Sequence, residues 1–241
     1  MGSRDRPARR ALNIGARHLL PVAPGLWLLV GFAWPRPGQA GERWLKAGVV
    51  ITVATQAWVV VGSAPHFIGY FNSLGGGWRQ AHHFVVDSNL DWGQDLLRLE
   101  RQLGKEPADT PVWLAQAGGV PLPPGLAGRV GELFGSPGYL PRGGAVGAGV
   151  YVVSATELVG VYRPLARLET WRDPDWIARY EAEHLGARQR RGRSEVPDTF
   201  EAMRRLRLVS RLTLREPDER VGRSLFLYRL SAADIERETR P

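Results

Sequence analysis

Three aspartates recur at four-residue intervals in the stretch Val85-Val86-Asp87-Ser88-Asn89-Leu90-Asp91-Trp92-Gly93-Gln94-Asp95. On a helix that spacing brings Asp87, Asp91 and Asp95 near one face. Carboxylates grouped this way could hold a cation or work as an acid–base pair. Asp87, Asn89 and Asp91 have the alternating spacing with which a calcium loop begins. Such a loop needs Gly at its sixth position and Glu at its twelfth, and here these are Trp92 and Arg98. A divalent cation held by Asp87 and Asp91 in another geometry stays open. The competing explanation is structural. Ser88 with Asp91 three residues on has the pattern of a capping box, and carboxylates are favoured at the positive end of a helix dipole. That explanation suits Asp91 but not Asp95, which lies past the first turn. A glycosidase pair must flank a scissile bond across a cleft, which one helix face does not do.

Other chemistries find less support. His82 and His83 are adjacent, and on a strand they would point to opposite faces. Ser154 lacks the flanking glycines of a nucleophile elbow. The glycines from Gly143 to Gly149 precede a strand and do not form a dinucleotide fingerprint, and there is no phosphate-binding P-loop. There are no cysteines, which excludes disulfides, zinc–thiolate centres and thiol nucleophiles. The net charge is +8, and all but two of the 32 basic residues are arginine. No aromatic platform or recognition helix accompanies them, so nucleic acid is not expected as a partner. Asn13, Arg17 and His18 lie at the edge of an apolar run. A guanidinium and an imidazole at a membrane boundary can grip a lipid phosphate. Plain interfacial anchoring by Arg17 accounts for the same residues.

Those residues have to be positioned by the elements around them. Leu19 to Trp34 is an uncharged apolar run of 16 residues, about 24 Å as a helix. Ala47 to Ala64 is a second run, with Trp34 and Trp44 suited to an interfacial aromatic belt. Two adjacent charge-free runs predict a membrane hairpin of two transmembrane helices over 19–64, ahead of two buried core helices. The segment 1–18 is basic. It is no secretory signal, because Pro21 and Pro24 break the apolar stretch behind it. The connector is basic too, so charge does not set the orientation.

From Pro65 onward the composition is that of a small α/β domain, 65–241, with a parallel or mixed sheet. Strands are predicted at 82–86, 112–117, 149–155, 211–214 and 224–230. Gly149 to Ala155 is nearly continuous in apolar residues, the pattern of a buried strand. Helices are predicted from Asn89 to about Leu103, from Ser154 (capped with Glu157) to about Tyr162, from Asp173-Pro174 to Gly186, and from Asp198. Residues 118–147 read as a long Gly/Pro-rich loop, and the charged tail after Ser231 as fraying. The fold class is therefore a two-helix membrane hairpin followed by a small α/β soluble domain.

Three segments carry a family resemblance. Asn13-Ile14-Gly15-Ala16-Arg17-His18-Leu19-Leu20-Pro21, Pro65-His66-Phe67-Ile68-Gly69-Tyr70-Phe71-Asn72 and Asp87-Ser88-Asn89-Leu90-Asp91-Trp92-Gly93-Gln94-Asp95 occur in an order similar to that of bacterial membrane glycosyltransferases. These resemble dolichyl-phosphate-mannose protein mannosyltransferases, glycosyltransferase family 39, and Gly149 to Ser154 is similar to their later strand. The resemblance implies an integral enzyme of the bacterial inner membrane, of the GT-C type. It implies transfer of a sugar from a polyprenyl-phosphate donor on the extracytoplasmic side, where the α/β domain would lie among membrane lipids. Such enzymes have many spans and an early acidic catalytic loop. This chain has neither, so it is expected to correspond to the C-terminal part, inactive alone. The resemblance gives Arg17 and His18, with Asn13 beside them, to the carrier phosphate. It makes Asp87, Asn89, Asp91, Trp92, Gln94 and Asp95 a signature without an assigned chemistry. A membrane-anchored accessory domain that binds glycan or lipid phosphate is the alternative.

Overall fold

The structure, a computed structural model, describes residues 21–32, 34, 38, 41–86, 89–116, 120–134, 146–189 and 198–241. Asn13, Arg17, His18 and Asp87 lie outside the described residues. The first helix, α1 (Ala23–Phe32), has 10 residues. That is about 15 Å of helix, half of a hydrocarbon core of about 30 Å. The second, α2 (Glu42–Ser63), has 22 residues and is long and apolar enough to cross a membrane. Its apolar stretch is not buried against the protein. The expected hairpin of two spans is thus corrected: among the described residues one helix has the length to span. An uncharged run in the sequence did not become an equally long helix, and Pro21 and Pro24 stand at the start of α1, where proline is tolerated.

The chain leaves α2 through the cis Ala64–Pro65 bond and a strap running to Asn72. After it come α3 (Leu96–Leu103), β1 (Val112–Ala115), β2 (Val130–Glu132), β3 (Gly149–Ser154), α4 (Ala155–Leu158), α5 (Pro174–Gln189), α6 (Asp198–Leu212), β4 (Glu219–Val221), β5 (Leu225–Leu230) and α7 (Ala232–Glu238). The five strands form one mixed sheet in the order β2-β1-β3-β5-β4. β1 runs parallel to β2 and β3, whereas β5 runs antiparallel to β3 and β4. This α/β unit, rather than a membrane hairpin, forms most of the described structure.

Alternation along the strands sorts the core into two layers. Val150 and Val152 of β3, with Leu225 and Leu227 of β5, meet Leu96, Leu99 and Leu103 of α3 on one face. Tyr151 and Val153, with Phe226, Tyr228 and Leu230, meet α4 to α7 on the other. β3 is central and covered on both sides, which explains its continuous apolar sequence. Trp113 of β1 stacks on Tyr151 at 4.7 Å between ring centres.

Several local expectations change. Residues 82–86 form no strand: Ala81–His83 is a turn of 3₁₀ helix, and the His82 and His83 rings lie together 4.0 Å apart. Arg211 to Leu214 is not a strand but the end of α6 and the turn after it. The region read as a single loop contains β2. The tail does not fray. Ser231 and Asp234 cap α7 reciprocally, and Ile235 and Thr239 are buried.

The capping and docking of α7 make a direct prediction. Ser231→Ala lowers the unfolding free energy by about 1 kcal/mol, and Ile235→Ala by about 2–4 kcal/mol. Urea unfolding of the detergent-solubilised chain measures both. Unchanged midpoints for the two variants would show that the tail is not docked.

Candidate functional site

The acidic stretch does not enter a helix at Asn89. α3 starts at Leu96, and residues 89–95 form a turn held by side-chain bonds to the backbone. The Gln94 side chain donates from Nε2 to the Leu90 carbonyl (2.9 Å) and accepts the Trp92 N–H at Oε1 (2.7 Å). Asp91 Oδ1 accepts the Gly93 N–H at 2.9 Å. Asn89 Nδ2 donates to the Val86 carbonyl at 3.4 Å. Gly93 has φ +74°, and a Cβ there would sit 3.0 Å from Val120. Asp91 therefore closes a local Asx-type turn instead of capping α3.

Asp95, 1% exposed, does something different. Its Oδ2 accepts three hydrogen bonds from the turn between β4 and β5: the Arg223 N–H at 2.9 Å, the Ser224 N–H at 3.1 Å and the Ser224 hydroxyl at 3.0 Å. Its Oδ1 faces Arg98 Nε at 3.5 Å and His66 Nδ1 at 3.9 Å. Gly222, at φ +63°, permits this approach. A Cβ there would lie 2.0 Å from the Asp95 carboxylate carbon. One carboxylate thus ties α3 to the β4–β5 turn, with His66 of the strap that follows α2 beside it.

Behind it lies a polar cluster at the C-terminal end of β3. Ser154, the last residue of β3, accepts the Glu157 N–H at 3.3 Å and pairs with Leu225, the residue after Ser224. Glu157, buried, binds Arg163 Nε at 2.9 Å, and the Arg163 guanidinium lies 4.6 Å from the Phe134 ring centre. Burial raises the Asp91 pKa. The Gly93 N–H and the Ser224 and Ser154 hydroxyls oppose the rise, and the Asp95 charge adds to it. Neither serine closes a full hydrogen bond on Asp91 Oδ2, which is buried without a partner. Burial likewise raises Glu157, against the Arg163 charge and hydrogen bond. Among the described residues, no three His, Asp or Glu side chains are grouped so as to hold a metal ion.

On the solvent side of Asp95 a cleft of ≈190 Å³ opens between the strap, α3 and the β4–β5 turn. His66, Gln94, Asp95, Arg98 and Arg223 supply its polar wall, and Pro65, Phe67 and Ile68 the apolar one. Gly69 leaves room for Arg223, whose Cβ would lie 2.6 Å from a Cβ on that glycine. Arg223 also donates to the Gly69 carbonyl at 3.4 Å. The sequence singled out Asn89, Asp91, Trp92, Gln94 and Asp95, and the structure brings Gln94 and Asp95 into this cleft. It buries Asp91 behind it and leaves Trp92 outward. His66, Arg98, Arg223 and Ser224 were not singled out. The signal for His66 lay in the Pro65–Asn72 segment; Arg223 and Ser224 are distant in sequence and no pattern links them to Asp95.

Two predictions follow from this geometry. Gly222→Ala pushes the Asp95 carboxylate off the turn and costs on the order of 2 kcal/mol or more, read as a drop in Tm. Asp95→Asn, which keeps an acceptor, costs less than Asp95→Ala. The second concerns pH. Asp91 has a folded pKa above its ordinary 3.8. Its contribution to stability is present below that unfolded value and is lost as pH rises through the folded pKa. Asp91→Asn therefore flattens the decline in stability above pH ~4, measured by urea unfolding across that range. A steeper decline in the variant would show that Asp91 is stabilised in its charged form.

No family model, no curated protein and no solved structure matches this chain.

Proposed function

We propose that the chain is the membrane-anchored C-terminal portion of a glycosyltransferase that uses a polyprenyl-phosphate-linked sugar, and that it does not transfer sugar by itself. One observation carries the membrane part of this reading. α2 is an apolar helix of 22 residues whose surface is uncovered by the protein, and it leads within a few residues into the cleft. An apolar helix left uncovered in water would forfeit the main driving force of folding, whereas in a bilayer it is at home. The donor class rests on the resemblance of the Pro65–Asn72 and Asp87–Asp95 segments. In this reading the α/β domain sits on the extracytoplasmic face of the inner membrane.

The engagement of the signature carboxylates supports a part without chemistry of its own. Asp95 has one oxygen committed to three donors, and Asp91 is buried. Neither is poised as a base toward solvent. This observation also favours the second reading, a non-catalytic accessory domain that binds glycan or lipid phosphate.

The anchor is tested by expressing the chain and fractionating cells. It stays with membranes through high salt and alkaline carbonate and comes out with detergent. Release by carbonate sinks the reading. Purified in detergent, the chain transfers no labelled sugar from a polyprenyl-phosphate donor to peptide acceptors. Turnover by the isolated chain would replace the proposal with that of a self-sufficient enzyme.

A further inference from the structure

We infer that the cleft formed by His66, Arg98 and Arg223 is a binding site for the phosphate of an anionic membrane lipid. The inference rests on the membrane-anchored reading and adds the ligand and the residues that hold it.

Charge is the first argument. Two guanidinium groups and an imidazole converge on a cleft that contains one carboxylate, Asp95. That carboxylate is already occupied, since its Oδ2 serves the β4–β5 turn. Arg98 Nε approaches Oδ1 to 3.5 Å but makes no hydrogen bond there, although it is buried. Arg98 is ion-paired to Asp95 and Arg223 donates to the Gly69 carbonyl, so two guanidinium charges face a single carboxylate and one of them lacks a counter-charge among the lining residues. Guanidinium forks match phosphate oxygens, and charge-assisted bonds to them are strong. His66 lies in the field of these charges. Its pKa is lowered by burial first, then by Arg98, with Arg223 adding and Asp95 opposing. A phosphate in the cleft reverses that balance.

Size is the second argument. At ≈190 Å³ the cleft falls below the ≈300–1,000 Å³ usual for drug-sized ligands. It suits a phosphate group and not a whole lipid-linked sugar.

Location selects a lipid over free phosphate. Pro65, the first lining residue, stands two positions after Ser63, the end of α2. If α2 crosses the bilayer, the cleft lies at headgroup level. Phe67 (56% exposed) and Ile68 (43%) line it, and Trp92 (59%) and Leu97 (59%) flank Gln94 and Asp95 in the chain. Exposed aromatic and aliphatic groups beside a cationic cleft are what the interface of a membrane accommodates. A site for a soluble anion gains nothing from them.

The test uses the full chain in nanodiscs, with ¹³C/¹⁵N-histidine NMR to follow His66. Discs of phosphatidylcholine alone are compared with discs that also contain phosphatidic acid. The expected result is a rise of about one unit or more in the His66 pKa with phosphatidic acid. Arg98→Gln and Arg223→Gln each abolish the rise, while Arg172→Gln, far along the chain and exposed, leaves it intact. Inorganic phosphate at the same bulk concentration in phosphatidylcholine discs leaves His66 unmoved. An equal rise with inorganic phosphate overturns the lipid as the source. A rise that survives both cleft variants, or that Arg172→Gln also removes, reduces the effect to general surface charge and overturns the site. Incorporation into discs with no response of His66 overturns this inference alone, whereas failure to incorporate overturns the anchor beneath it.

Discussion

The Asp95 carboxylate is the interaction on which the rest of the described domain depends. It is a buried charge, and a buried charge is costly unless its lone pairs are met. Here they are met by two backbone N–H groups and a hydroxyl of a turn more than 120 residues away, at 2.9–3.1 Å. The donors of a tight turn would otherwise be left unpaired beneath α3. One side chain therefore fixes the start of α3 against the sheet edge. It also fixes which way Arg223 leaves the turn. Gly222 is the matching half of the contact, because only a residue without a Cβ lets the carboxylate so close. The cleft is a consequence: His66 and Arg98 face the one oxygen of Asp95 that the turn does not use, and Arg223 lines the same cleft from the turn.

This explains why the acidic stretch was legible as a unit yet misread in form. Aspartates four apart, after a serine, have the spacing of a helix entry, and Asp95 was the residue that capping failed to explain. The actual conformation is set by bonds that spacing does not reveal. Gln94 satisfies Leu90 and Trp92, Asp91 satisfies Gly93, and Gly93 takes a left-handed φ that a helix lacks. Local side-chain bonds of this type compete with helix formation. Helix begins only where they end, at Leu96.

Elsewhere legibility followed burial. β3 and β5 could be read from their apolar runs because both lie inside the sheet with helices on either side. β2 and β4 have three residues each, too few for any period to stand out. The tail looked unstructured because its charges are many. α7 needs only its reciprocal cap, Ser231 with Asp234, and Ile235 to dock, a signal of two short polar residues that the surrounding charges mask. The first apolar run shows the opposite failure: absence of charge suggested a full span, and the described helix is 10 residues long. His82 and His83 have the sequence of a strand pair, whose side chains would point apart. In the turn they occupy, the two rings lie together at a tilt of 39°, and His82 packs edge-on against Phe226. Burial beside His83 and Arg220 takes the His82 pKa to about 4, so it is neutral at physiological pH.

The direct run from α2 into the strap has a physical consequence for any ligand at the bilayer. On the proposed anchoring, a domain tethered by a few residues is confined to the membrane surface, so a headgroup in the same leaflet would meet it at high effective concentration. A site of weak intrinsic affinity is then enough. That fits a cleft with two guanidinium groups and little enclosure better than it would fit a site that must capture a dilute soluble anion. It also accounts for the division of labour in the signature stretch. Asp95 and its turn supply rigidity and hold the cations in register. Arg98 and Arg223 line the cleft on the solvent side of Asp95, where on the proposed anchoring a membrane would present its phosphates. On that proposal, the acid Asp95 is the scaffold of a basic site.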